Sequence, residues 1–313
     1  MLDLESFIKN ELHVLRLPTF VETAREQLVA WRAYGFGAWR RGNVTFLECV
    51  ENLLPGRFKS PALQHKLQGL LDRELKEIFD RAGIYRETPT LFGRPFLATS
   101  PGGFRNWLVA LRLINEVILQ DEYRARGRIR PDSIVIDAGA NIGTFSALSA
   151  RLAREGKVYA FEPTRTTFDA LEKNLHPYGN ATAVRSALGN RVGGAELHIE
   201  SSSGEGNTLA ESGLLGSYSG KETVPITTID TFVREQQLRR VDFIKVDTEG
   251  FEKEILEGAA ETIRAHRPAL SLSAYHKPGD PSALKALISS YCGEYQCELK
   301  SSPELDLICM APR

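Results

Sequence analysis

From Ser133 onward the chain alternates short apolar, β-branched runs with amphipathic stretches of helical period, and few folds accept that order. Ser133–Ala138, Lys157–Phe161, Ala181–Arg185, Val241–Val246 and Ala269–Ala274 read as strands, the first apolar enough to be covered on both faces. Thr144–Arg154, Thr167–Leu175, Thr228–Gln237, Glu252–Ala265 and Pro281–Ser290 read as the helices that follow them. Ala195–Glu200 and Glu222–Ile226 are weaker strands, and Tyr295–Lys300 with Leu305–Ala311 reads as a terminal β-hairpin. Such alternation implies an α/β fold: a mostly parallel sheet with helices on both faces. Ligands of these sheets sit beyond the carboxyl ends of the strands, which ranks the polar residues by position.

The texture before Pro131 is different. Leu2, Leu4, Phe7, Ile8, Leu12 and Leu15 recur at helical spacing, as do Leu63, Leu67, Leu70, Leu71, Leu75, Ile78 and Phe79. A loop from Gly93 to Gly103 precedes one expected helix, Phe104–Arg126. The chain therefore divides into a helical N-terminal region, 1–130, and an α/β domain, 131–313. The first has two readings: a cap that recognises substrate over the strand ends, with Arg105 reaching an anionic or glycosyl acceptor, or a dimerisation element that makes a homodimer. The polar stretch 201–220 is long enough for a lid that orders on substrate binding.

Totals narrow the partners. The 313 residues are 42% hydrophobic and 25% charged, ordinary for a globular protein, and the net charge of −1 offers no field for nucleic acid or an anionic membrane. No apolar run approaches the ~18 residues of a membrane span, and the first residues do not read as a secretory signal, so the cytoplasm is the expected location. The cysteines (49, 292, 297 and 309) form no C-x-x-C pair and have no histidine cluster beside them. No zinc site is expected, and Cys292 and Cys297 read as free thiols.

Five strand ends carry the chemistry. In Asp137-Ala-Gly139-Ala140-Asn141-Ile-Gly143, Gly139 lets backbone approach a ligand and Gly143 lets helix and strand pack closely, while the helix from Thr144 and Phe145 offers free N–H groups. The glycine spacing does not meet G-x-G-x-x-G, so a cofactor without a pyrophosphate fits better than a dinucleotide. The plain alternative is a tight turn. Glu162, followed by Pro163, ends the second strand 25 residues after Asp137, where a carboxylate accepts both ribose hydroxyls. Ser186, Ala187 and Leu188 follow the third strand and can frame an adenine edge.

Lys245 and Asp247 are two apart at the end of the fourth strand, with Glu249 just beyond. A lysine in an apolar strand needs a partner, and Asp247 is the obvious one, either as a buried ion pair or as a ligand-facing carboxylate. His276 follows the fifth strand. If the two strands are neighbours, it sits near Asp247 and Glu249, where it can act as a general base; the alternatives are a solvated loop residue or, with both acids, a ligand of a divalent metal, which is not the favoured reading.

These stretches resemble the FkbM-type methyltransferases, within the class I S-adenosylmethionine-dependent superfamily. The resemblance rests on Val135–Gly143, Ala160-Phe-Glu-Pro163, Ser186–Gly189, Thr228–Phe232, Phe243-Ile-Lys-Val-Asp-Thr-Glu-Gly-Phe-Glu252 and Leu256–Ala259. It implies a Rossmann-like, seven-stranded sheet with an antiparallel edge hairpin, and methyl transfer to an oxygen of a small molecule, sugar or polyketide. It also implies that Gly139, Ala140 and Asn141 contact the methionine part of the cofactor, that Glu162 holds the ribose and Ser186–Leu188 the adenine, and that Asp247 lies near the reacting methyl. His276 is the first candidate base and Asp247 the second. The rival readings are a nicotinamide-dependent oxidoreductase and a non-catalytic adenosyl-binding protein on the same sheet.

Overall fold

The computed structural model describes residues 121–200, 218–277, 279–300 and 305–312, together with Thr90–Leu91, Arg94–Pro95, Leu113, Val117 and Ile118. The chain forms two compact units, one of residues 1–96 and 103–107, the other of residues 97–102 and 108–313. Among its described residues the first contains one short antiparallel ladder, Thr90–Leu91 with Arg94–Pro95. The N-terminal helices expected from the sequence, and Arg105, lie outside the described residues.

The elements of the second, α/β unit run β1 (Ile134–Ala138), α1 (Thr144–Leu152), β2 (Lys157–Phe161), α2 (Arg165–Leu175), β3 (Ala181–Val184), β4 (Ala187–Leu188), β5 (Gly193–Glu200), β6 (Tyr218–Thr227), α3 (Ile229–Glu235), β7 (Phe243–Val246), α4 (Glu252–Glu257), α5 (Ala260–His266), β8 (Ala269–Ser273), α6 (Asp280–Tyr291), β9 (Gln296–Lys300) and β10 (Asp306–Met310). Seven strands form one sheet in the order β9-β10-β8-β7-β1-β2-β3. The pairs from β8 through β3 are parallel, while β10 runs antiparallel to both β8 and β9. This is the expected sheet, edge hairpin included. A second sheet, β4-β6-β5, carries the two weaker strands.

Burial explains the apolar runs. Val135, Ile136, Val158, Ile244, Val246, Leu270 and Leu272 are fully buried because helices cover both faces of the central strands. The chain leaves β1 toward β2 and β3, then returns to β7 on the other side of β1. The strand order therefore reverses between β1 and β7, and a crevice must open beyond their carboxyl ends.

Four local expectations change. The helix expected to reach Arg126 does not: from Asp121 the chain turns, with Asp121 and Arg124 at φ 50° and 52°, and the Asp121 carboxylate accepts the N–H of Ala125 at 3.0 Å. A short acid that bonds nearby backbone favours a turn over a helix interior. The single helix 252–265 is two helices broken at Gly258, where a Cβ would meet the carbonyl oxygen of Gly189 at 1.9 Å. Asp230 caps the second, accepting from the N–H groups of Glu261 and Thr262 at 3.0 and 2.8 Å. The expected lid of 201–220 loses Tyr218–Gly220 to β6; residues 201–217 lie outside the described residues. Finally, Cys297 is not a free thiol. The β9–β10 register places it opposite Cys309, and the two form a disulfide, while Cys292 is free. No described helix is long and apolar enough to cross a membrane.

Candidate active site

A cavity of about 340 Å³ opens at the reversal of strand order. Gly139, Ala140, Asn141, Thr144, Phe145, Glu162, Pro163, Ser186, Ala187, Leu188, Lys245, Asp247 and Glu249 all line it, so residues scattered over some 110 positions of sequence meet as expected. Asp137 and Gly143 do not line it, and neither does His276.

The two turn glycines owe their identity to packing more than to a ligand. Gly139 has φ +74°, and a Cβ there would meet the carbonyl oxygen of Asp247 at 1.9 Å. The ends of β1 and β7 touch at this point. Gly143 has φ +92° and faces Leu171 of α2, so it packs helix on helix where helix on strand was expected. Asp137 is fully buried beneath the turn. Ser146 donates to it at 2.5 Å and Lys245 Nζ lies 3.2 Å away, which leaves it an anchor with no face toward the cavity.

That contact also corrects the expected pairing of Lys245. Its nearer carboxylate is Asp137 on β1; Asp247 is at 4.0 Å. The ammonium also donates to the carbonyl of Gly139 at 2.7 Å, tying the two strand ends together. Burial alone would strip its proton, but Asp137 and Asp247 outweigh burial and hold it charged.

Glu162, which lines the cavity, is buried. Its two oxygens accept the N–H groups of Asn141, at 3.2 Å, and Thr164, at 2.9 Å. Burial pushes its pKa up, and the backbone N–H groups offset only part of that. Each oxygen retains capacity for a further donor. The Ser186 hydroxyl is turned toward the carbonyls of Ala187, at 2.9 Å, and Pro225, at 3.1 Å.

Across the cavity, Asp247 accepts a hydrogen bond from the Tyr123 hydroxyl at 2.7 Å. Tyr123 also packs edge-on against Phe145, with centroids 5.3 Å apart, and Lys245 Nζ lies 5.1 Å from its ring centre. Burial would raise the Asp247 pKa, but Lys245, His276 and the Tyr123 hydroxyl outweigh it, so the carboxylate stays ionised. Burial and the same contact push the Tyr123 phenol well above its usual range. Sequence reasoning missed Tyr123, as it missed Glu122, Leu113 and Val117, which also line the cavity. No motif marks them; they precede β1, and only the tertiary fold carries them over the strand ends.

β7 and β8 are indeed neighbours, and His276 lies where that adjacency predicts. Its Nε2 is 3.5 Å from Glu249 and its Nδ1 is 3.0 Å from Glu252. Glu252, which sequence reasoning did not single out, is buried and organises the loop: one oxygen accepts the N–H groups of Thr248 and Gly250 at 3.1 and 3.2 Å. Burial would lower the His276 pKa, but Glu249 and Glu252 push it up to about 11. In the absence of another cation, the two carboxylates therefore favour the protonated ring.

Residues 137–294, half of the chain, match the methyltransferase FkbM domain and include Glu162, Lys245, Asp247 and Glu249 of the cavity. The chain belongs to the FkbM methyltransferase family. Over 182 residues it is 28% identical to Methyltransferase sdnD of Sordaria araneosa, a match of 49% of this chain and 70% of that protein. It is 22% identical over 150 residues to 2-O-methyltransferase NoeI of Sinorhizobium fredii, covering 44% and 62%, and 26% identical over 159 residues to the hexuronic acid methyltransferase AglP of Haloferax volcanii, covering 50% and 62%. The chain thus spans less than two thirds of the latter two. The solved FkbM methyltransferase of Methylobacillus flagellatus is 21% identical with a TM-score of 0.46, covering 64% of this chain and 53% of that one.

Proposed function

We propose that this FkbM protein is an S-adenosylmethionine-dependent O-methyltransferase whose acceptor is a hydroxyl of a small molecule, sugar or polyketide-like natural product. One observation carries the reading: a single cavity has the buried Glu162 carboxylate on one flank and the ionised Asp247 carboxylate on the other. The fit to the cofactor is chemical. The Glu162 carboxylate keeps acceptor capacity beyond its two backbone N–H groups, which offset only part of its burial, and a ribose diol supplies two more donors. The names of NoeI and AglP, an O-methyltransferase and a uronic acid methyltransferase, favour an oxygen acceptor of glycosyl type.

Bound S-adenosylmethionine supplies a methyl group already activated on a sulfonium. The protein's part is alignment, desolvation and proton removal. Leu113, Val117 and Phe145 give the cavity an apolar wall. Asp247 would receive the acceptor's O–H and take its proton as that oxygen accepts the methyl group. Tyr123 fixes the direction of that carboxylate, and Lys245 keeps it ionised.

Calorimetry with S-adenosylhomocysteine tests the cofactor half. Glu162→Ala is expected to bind about 100-fold more weakly, the loss of two hydrogen bonds to a charged group; wild-type affinity would remove Glu162 from the ribose site. Incubation with S-adenosylmethionine and a panel of glycosides, uronic acids and polyketide alcohols tests the other half. The expected product is one methyl heavier, with the methyl on oxygen by NMR; transfer confined to nitrogen or carbon acceptors would sink the proposal.

A further inference from the structure

The ends of β7 and β8 bring three carboxylates, those of Asp247, Glu249 and Glu252, around one imidazole. Such a cluster needs a cation, and a proton on His276 is the plain answer. Two features fit that answer poorly. The His276 side chain is only 5% exposed, and both ring nitrogens are buried with no hydrogen bond to either. The carboxylates lie at ion-pair distance, Glu249 3.5 Å from Nε2 and Glu252 3.0 Å from Nδ1. A charged ring built for those acids would aim its N–H groups at them and gain the charge-assisted bonds.

The second feature is an ordering of roles. Nδ1 faces Glu252, whose oxygen is already pinned by the backbone N–H groups of Thr248 and Gly250. Nε2 is thereby turned toward Glu249. A carboxylate behind one ring nitrogen, with the other turned toward a further carboxylate, is how metal-binding histidines are held. One ligand atom from each of Asp247, Glu249 and His276 falls within 4.8 Å of the others. Ligands 2.0–2.2 Å from one ion lie at most about 4.4 Å apart, so shifts of a few tenths of an ångström close the shell. Lys245, 4.0 Å from Asp247, is the cation beside the cluster, and Asp137 holds it at shorter range.

We propose that Asp247, Glu249 and His276 form a divalent-cation site on the acceptor side of the cavity, with Glu252 fixing the imidazole from behind. One nitrogen and two carboxylate ligands suit a first-row ion such as Mn²⁺ or Zn²⁺ better than Ca²⁺. Asp247 and Glu249 line the cavity, so the remaining coordination positions face it and can take an acceptor oxygen. That role in substrate binding rests on the proposed methyl transfer; the binding of the ion does not.

The test uses the full chain, stripped with a chelator. Mn²⁺ is titrated and read by electron paramagnetic resonance of the free ion, and Zn²⁺ by calorimetry. One ion per chain is expected. His276→Gln, Asp247→Asn and Glu252→Gln should each weaken binding by about tenfold or more, while Glu196→Gln, on the far sheet, should not. Glu249→Gln guards against variants that misfold, since its side chain is 36% exposed and its loss leaves packing intact. Absence of stoichiometric binding of either ion to the folded wild type overturns the proposal, and so does binding that Glu249→Gln and His276→Gln leave unchanged. S-adenosylhomocysteine is titrated in parallel: ion binding without cofactor binding would sink the methyltransferase reading and leave the metal site standing.

Discussion

On the β1–β2 flank of the cavity, Glu162 is held by the backbone N–H groups of Asn141 and Thr164. On the β7–β8 flank, Asp247 is held by side chains, the Tyr123 hydroxyl and the Lys245 ammonium. The first flank is a product of local turns: residues that come directly after strand ends, with backbone as the partner. The second depends on charges that neutralise one another across strands and on a tyrosine 124 positions away. A flank built from backbone keeps its geometry when side chains vary, which suits an invariant cofactor. A flank built from side chains can be retuned by single substitutions, which suits an acceptor.

The comparison breaks most sharply where the flanks touch. Gly139→Ala drives a Cβ into the Asp247 carbonyl at a positive φ. It should move β1 away from β7 and cost several kcal/mol, seen as a large fall in unfolding temperature and loss of S-adenosylhomocysteine binding. A stable variant with normal affinity would show that the flanks are independent. Next in size is Lys245→Met, which leaves Asp137 buried and unpaired and should cost about 3–5 kcal/mol in urea unfolding. Asp137→Asn in the same chain should recover part of that loss; additive losses would mean that the pair is not coupled. Asp247→Asn should separate the flanks by function. Methyl transfer to an identified acceptor is expected to fall about 100-fold, while S-adenosylhomocysteine affinity stays within about threefold. Equal losses in both would place Asp247 on the cofactor.

The same contrast explains how much the sequence alone reveals. The strands were legible because both faces of β1, β2, β7 and β8 are covered, which forces continuous apolar runs. Glu162 was legible because its place is one strand–helix–strand unit from Asp137. Lys245 was legible as an anomaly but not its partner, since Asp137 and Asp247 are both within reach and only the parallel register of β1 and β7 chooses. The hairpin was visible, yet not that Lys300 faces Asp306 and hence Cys297 faces Cys309. Glu252 was not singled out because its work is to bind backbone that folds back on it. His276 was placed correctly by strand adjacency, while its charge depends on Glu249 and Glu252 together, which adjacency alone does not give.

Tyr123 gives the smallest effect and the finest discrimination. Its hydroxyl touches Asp247, while its ring sits on Phe145 and over Lys245, so removing only the oxygen preserves the packing. Tyr123→Phe should therefore leave the unfolding temperature nearly unchanged. A hydrogen bond to a charged group contributes about 1.5–3 kcal/mol, much of it recovered here because Lys245 still pairs the carboxylate. The expected result is about a tenfold fall in kcat, with S-adenosylhomocysteine affinity as in the wild type. Were the loss to appear in cofactor affinity, Asp247 and its tyrosine would belong to the backbone-built flank, and the division of labour across the cavity would have to be drawn elsewhere. Tyr123→Leu then supplies the contrast: it removes the ring as well, and only it should lower stability, by exposing Phe145 and the Lys245 stem.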